Sequence, residues 1–217
     1  MSFSAFSFLP DLDTLFLFTA ASVVLFATPG PDMSLFLAKT VQGGRAAGIA
    51  AMAGAMTGAA VHTLLAALGV SALLAASETG FAVLKWVGGL YLLWLAVDAV
   101  RNGSALSVKA TGPNRIGLRA TWLLGLGVNL TNPKVILFFV TFLPQFVVAG
   151  DPDATGKLVF LGLYFIAVSV PLAVLMILGA ERVLATVRAR PRLLRGIDLA
   201  FAGVFGVFAL KILTATR

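Results

Sequence analysis

The sequence predicts an all-α, polytopic membrane protein with six transmembrane helices in a 3+3 inverted repeat, helices one and four being broken. Three observations carry that prediction. Hydrophobic residues make up 59% of the 217 and charged residues only 12%, with a mean hydropathy of +1.00; a soluble domain carries about a quarter charged residues. The basic residues gather in alternate short loops. Two apolar segments are interrupted at Pro31 and Pro133, positions 102 residues apart.

The first span is expected over 12–37, interrupted in its second half, and the second over 46–75. The third follows over 80–100 and the fourth over 118–148, again interrupted. The fifth is expected over 157–180 and the sixth over 196–214. Each supplies, or nearly supplies, the ~20 apolar residues that crossing a bilayer requires. The chain, 1–217, reads as one transmembrane transporter domain, with a first repeat over about 12–100 and a second over about 118–214. The longest polar stretch, 101–119, is too short for a water-soluble domain. The first basic residue is Lys39, so no positive region precedes the first apolar run, which is expected to be a retained helix. With no cysteine, a disulfide framework and a thiolate metal site are both excluded.

Charge placement sets the orientation. Lys39 and Arg45 lie between spans one and two, and Arg101, Lys109, Arg115 and Arg119 between three and four. Arg182, Arg188, Arg190, Arg192 and Arg195 lie between five and six, so these loops hold 11 of the 16 basic residues. The other loops hold Glu78, or Asp151 and Asp153 with Lys157. The positive-inside rule then puts the three basic loops in the cytoplasm and both termini outside it. The net charge of +7 is confined to loops facing the membrane, which argues for a lipid bilayer as partner and against nucleic acid.

An odd number of spans in each half makes the second half insert upside down, the arrangement of inverted-repeat transporters. Span one contains Thr28-Pro29-Gly30-Pro31-Asp32, and span four contains Asn129-Leu130-Thr131-Asn132-Pro133-Lys134. Proline removes a backbone donor and clashes with the carbonyl four residues back, so both helices should break here. Asn132 before Pro133 suits an N-cap with proline at the first helical position. Matched interruptions of this kind mark the substrate site of a secondary transporter. A packing kink without function is the plainer alternative.

Asp32 and Lys134 each follow a break and are opposite in charge. Charges within spans are costly and face a cavity or a partner. A lysine at a helix N-terminus also opposes the macrodipole, so Lys134 is expected to meet Asp32 across the repeat. The pair could join the halves as a permanent bridge. Alternatively, Asp32 holds the ammonium and Lys134 the carboxylate of an amino-acid-like solute. Gly54, Gly58 and His62 are spaced by four, which turns His62 into the bundle along a small-residue face. His62 is a candidate proton relay beside Asp32, or a hydrogen-bonded packing residue.

The motifs Thr28-Pro29-Gly30-Pro31-Asp32 and Gln42-Gly43-Gly44-Arg45-Ala46-Ala47-Gly48 come first in the chain, and Leu84 to Leu95 with its Lys85-Trp86 lies in the third span. Asn129-Leu130-Thr131-Asn132-Pro133-Lys134, followed by Phe142-Leu143-Pro144-Gln145-Phe146, lies in the fourth. Together they resemble the lysine exporter / homoserine–threonine resistance (LysE/RhtB) family over nearly the whole chain. The resemblance implies export of amino acids or their derivatives across the bacterial inner membrane, in exchange for protons. It does not name the solute. The substrate-binding residues expected are Thr28, Pro29, Gly30, Pro31, Asp32, Asn129, Asn132, Pro133 and Lys134, with Asp32 and His62 as proton-coupling candidates. No cofactor and no enzymatic activity are expected, and a homo-oligomer stays open. An exporter of another small solute or of a metal ion is the alternative; one histidine, no cysteine and one mid-span carboxylate are few ligands for a metal.

Overall fold

The computed structural model describes residues 9–70, 72, 78–101, 116–148 and 151–214, and among the described residues every regular element is helical. Helix α1, Leu12–Ala27, starts at Asp11, whose carboxylate accepts the Thr14 N–H at 2.7 Å. It stops short of Pro29. Helix α2, Pro31–Gly43, begins with its proline at the first position, where no N–H is needed. It ends at Gly44, whose φ of +81° favours glycine. Helix α3, Arg45–Leu65, runs on through a wider turn, Ala66–Val70. Helix α4 is Glu78–Arg101 and helix α5 is Leu118–Leu130. The short α6, Pro133–Leu137, continues through a wide turn, Phe138–Phe142, and a tight one, Leu143–Phe146. Helix α7 is Ala154–Leu178, α8 is Ala180–Ala189 and α9 is Pro191–Thr214.

Three unbroken stretches, Arg45–Gly69, Ala154–Leu178 and Arg192–Leu210, are long and apolar enough to cross a membrane. Two broken pairs qualify when each is taken together: α1 with α2, and α5 with Pro133–Phe146. Both pairs bend by 54° at the break. The expected end of the second span at 73–75, and the loop residues Lys109 and Arg115, lie outside the described residues.

Helix α3 packs against α2, α5 and α7. Its contact with α5 is backbone on backbone. A Cβ on Gly54 would come 2.0 Å from the Trp122 carbonyl oxygen, and one on Gly125 would come 2.1 Å from that of Ala51. Only glycine permits this approach, the usual device for close helix packing in lipid. Helix α9 lies along α4, and the Arg195 guanidinium donates to the carbonyls of Ala99 and Val100 at the α4 C-terminal end. A cation there complements the helix dipole.

The buried side chains fall into two clusters. One is aromatic and includes Phe18, Phe138, Phe142, Phe165 and Phe205. The other is built mainly from small or flexible residues, including Ala51, Ala55, Ala173 and Met176, around Phe36. Helix α8 presses Val183 and Leu184 onto the second cluster while Arg182 stays exposed.

Candidate functional site

Each helix break leaves backbone groups without an intrahelical partner. At the first, Thr28 is extended, and the last carbonyls of α1 point past the helix end. The Lys134 ammonium crosses from the other half and donates to Leu25 O at 2.9 Å and Thr28 O at 2.7 Å. A cation at that end is favoured by the α1 dipole. At the second break, Asn132 caps α6 by accepting the Lys134 N–H at 3.1 Å. Its side-chain N–H2 donates to Asp32 Oδ2 at 3.2 Å, and that of Asn129 donates to the same oxygen at 2.8 Å. Asp32 lies in the first turn of α2, where the dipole favours an anion. The charge of each half is therefore held by the broken helix of the other.

This differs from the expected direct pairing of Asp32 with Lys134. Lys157 does form an ion pair with Asp151. Asp32 and Lys134 line the same cavity without forming a bridge. The physical reason is that helix breaks supply partners of their own. Free carbonyls take the ammonium, and asparagine amides take the carboxylate.

The cavity has a volume of about 40 Å³, room for a few waters. Gly30, Asp32, Asn129, Lys134 and Ser169 contribute its polar side, and Met33, Phe36, Met56 and Phe165 its apolar wall. A Cβ on Gly30 would come 3.2 Å from Lys134 Nζ, so the glycine keeps the lysine's path clear. Among the described residues three buried side-chain polar atoms have no hydrogen-bond partner: Asp32 Oδ1, Asn129 Oδ1 and Ser169 Oγ. All three belong to residues that line this cavity.

Of the residues singled out from sequence, Gly30, Asp32, Asn129 and Lys134 line the cavity, and Thr28 and Asn132 hold its charges from behind. Pro29, Pro31 and Pro133 are not among the lining residues; they belong to the breaks. His62 is also outside the cavity. It is buried, its Nε2 lies 3.4 Å from the Asn129 carbonyl oxygen, and its ring stacks on Phe139 with centroids 5.7 Å apart. A carbonyl only accepts, so Nε2 carries the proton in that contact. Asn129 thus touches His62 through its backbone and Asp32 through its side chain. Gly58 makes room for it, since a Cβ there would come 2.5 Å from Asn129 Oδ1. Ser169 was not apparent in the sequence. Its one signal is a hydroxyl two residues before Pro171 in an otherwise apolar span. Among the described residues no three His, Asp or Glu side chains gather where a metal could sit.

Apolar helices, paired breaks and a charged cavity between them define an all-helical membrane protein of the translocator kind. The chain belongs to the LysE type translocator family, whose model matches residues 23–216. It is 28% identical over 194 residues to the homoserine/homoserine lactone efflux protein of Salmonella typhimurium, covering 88% of this chain and 91% of the relative. It is 30% identical over 203 residues to the leucine efflux protein of Klebsiella pneumoniae, covering 91% and 93%. An uncharacterised membrane protein of Pseudomonas aeruginosa is 33% identical over 201 residues, covering 89% and 92%. No solved structure gives a significant match.

Proposed function

We propose that this translocator exports amino acids or their derivatives from the cytoplasm in exchange for protons. The observation that carries the reading is the crossed clasp of Asp32 and Lys134 around one cavity. An amino acid brings an ammonium and a carboxylate. Asp32 keeps Oδ1 unpartnered for the first. Lys134 uses two of its three donors on Leu25 and Thr28, which leaves one for the second. The efflux of homoserine and of leucine by named relatives supports the same solute class.

At about 40 Å³ the cavity is smaller than an amino acid, so loading requires the breaks to open. The prolines make these the easiest places to move, because the helices lack continuous backbone bonding there. Asp32 takes a proton when the solute leaves, and the two cargoes therefore exclude one another at one carboxylate. His62, one residue away through Asn129, relays that proton.

In this reading α4 supplies a sixth span, and α1–α4 and α5–α9 are inverted halves in the bacterial inner membrane. The equal bends of 54° at the two breaks support the repeat. Both termini face away from the cytoplasm. A reporter fused after Arg217 should be found outside and one inserted at 102–113 inside; finding both on one side would overturn the topology.

The functional test uses proteoliposomes loaded with labelled leucine or homoserine and an imposed pH gradient. Efflux should rise when the outside is acidified and fall when a protonophore is added. Efflux indifferent to the gradient would remove proton coupling. Absence of efflux for every amino acid tried would remove the exporter reading.

A further inference from the structure

Hydroxyls buried in apolar helices have a standard solution, which is to bond the carbonyl one turn back. Ser22 donates to Phe18 O at 2.7 Å, Thr63 to Ala59 O at 2.8 Å and Thr141 to Leu137 O at 2.7 Å. Thr28 and Thr121, also buried, do the same to Val24 O and Gly117 O. Ser169 is fully buried and is the exception among the buried hydroxyls described. Its Oγ makes no bond although the Phe165 carbonyl lies one turn away on the same helix. A buried hydroxyl left unpaired costs stability.

Ser169 shares its cavity with Asp32, whose Oδ1 is equally unpartnered. The two come from different helices, α7 and α2, in the two halves of the molecule. Both oxygens accept hydrogen bonds, and neither has a donor in the protein. A single group that donates to both brings at least two N–H or O–H donors and, facing a carboxylate, a positive charge. We propose that Ser169 Oγ and Asp32 Oδ1 together bind a primary ammonium group of the exported solute. Ser169 is then a solute ligand, and recognition is by N–H donation as well as by charge. A quaternary ammonium carries the same charge without a donor and leaves Ser169 unsatisfied. This inference rests on the exporter reading and adds to it a ligand and a selectivity.

The test compares wild type with Ser169→Ala in proteoliposomes. Leucine export is measured alone and in competition with N,N,N-trimethyl-leucine and with 4-methylpentanoate, which lacks the amine. Removing a hydrogen bond to a charged group should raise KM for leucine about tenfold. Binding of the trimethyl compound should not change, so the preference for the primary amine should fall about tenfold as well. The purified Ser169→Ala protein should keep or raise its Tm, because the hydroxyl it loses was unpaired. An unchanged KM for leucine would overturn the assignment and leave the exporter reading standing. A lower Tm with equal loss for all three compounds would make the hydroxyl structural and also overturn it. Failure of the wild type to export any amino acid tried would overturn the exporter reading, and the assignment with it.

Discussion

The contact between α3 and α5 yields a prediction that two neighbouring glycines can test against one another. In Gly125→Ala the new methyl would sit 2.1 Å from the Ala51 carbonyl oxygen and 2.9 Å from its carbon. Both are backbone atoms and have no rotamer to escape through. The helices must part by about 0.9 Å merely to bring that contact to 3.0 Å. Asn129 is one turn further along the same face of α5. A shift of that size would lengthen its bond to Asp32 from 2.8 Å and its contact with His62 from 3.4 Å beyond hydrogen-bonding range. Overpacking of this kind costs about 1–3 kcal/mol, against a gain of about 1 kcal/mol from alanine's helix propensity. Gly127 lies two residues away on the exposed side, where a Cβ meets nothing within 4 Å. Gly127→Ala should therefore show only the gain. The propensity gain is common to both, so the two variants should differ by the overpacking cost, about 1–3 kcal/mol or roughly 2–12 °C in Tm at this chain length. The assay is thermal unfolding of both purified proteins in the same detergent, with leucine export measured alongside. Gly125→Ala should be the less stable and the less active. Indistinguishable midpoints would show that the close approach of these helices is not required.

Three further outcomes are expected. The exchange Asp32→Lys with Lys134→Asp should be less stable than either Asp32→Asn or Lys134→Met, because a carboxylate would face the Leu25 and Thr28 carbonyls and an ammonium would face two amide N–H2 groups; a swap as stable as wild type by size-exclusion yield and Tm would sink the clasp. Pro31→Ala and Pro133→Ala should each reduce export more than protein level by letting a helix close across its break, whereas normal export by the double variant would make the breaks purely structural. The third concerns Asp151, where the Lys157 ammonium, with the Asp153 N–H at 2.8 Å, holds the carboxyl below its ordinary range. A depressed carboxylate stabilises the fold above its ordinary pKa and loses that contribution as pH falls through the folded value. Asp151→Asn should therefore lower Tm by about 1–3 °C at neutral pH and by less under strong acid, and an equal deficit at both would refute the linkage.

The features legible in the sequence are those with local causes. Pro31 and Pro133 had to interrupt their helices whatever surrounds them, and Asn132 had to cap whatever helix followed. The spacing of Gly54, Gly58 and His62 gave the buried face of α3 for the same reason, since helical geometry alone fixes it. The partners of the charges were a different matter. The rule that an intramembrane charge seeks an opposite one is sound for intact helices, whose backbone groups are already used. Here the breaks released those groups, and the nearest partners of Lys134 became the neutral carbonyls of Leu25 and Thr28. Ser169 was hidden for a related reason. Whether a hydroxyl bonds its own helix is decided by tertiary surroundings, and an isolated serine in an apolar run carries no trace of the outcome.

The clasp also explains why two opposite charges so close together do not collapse into a bridge. Had Asp32 and Lys134 met directly, each would have spent its capacity on the other, and a solute would have to compete with a buried ion pair. Held instead by helix ends and amides, each sits at the end of a dipole that favours its charge. What is left over is one carboxylate oxygen, one ammonium hydrogen, one serine hydroxyl and the Asn129 amide oxygen around a single cavity. Under the proposed function, that remainder is what receives the ammonium and carboxylate of a zwitterion. The helix breaks thus do two things at once: they hold the charges apart, and they leave them open to a visitor.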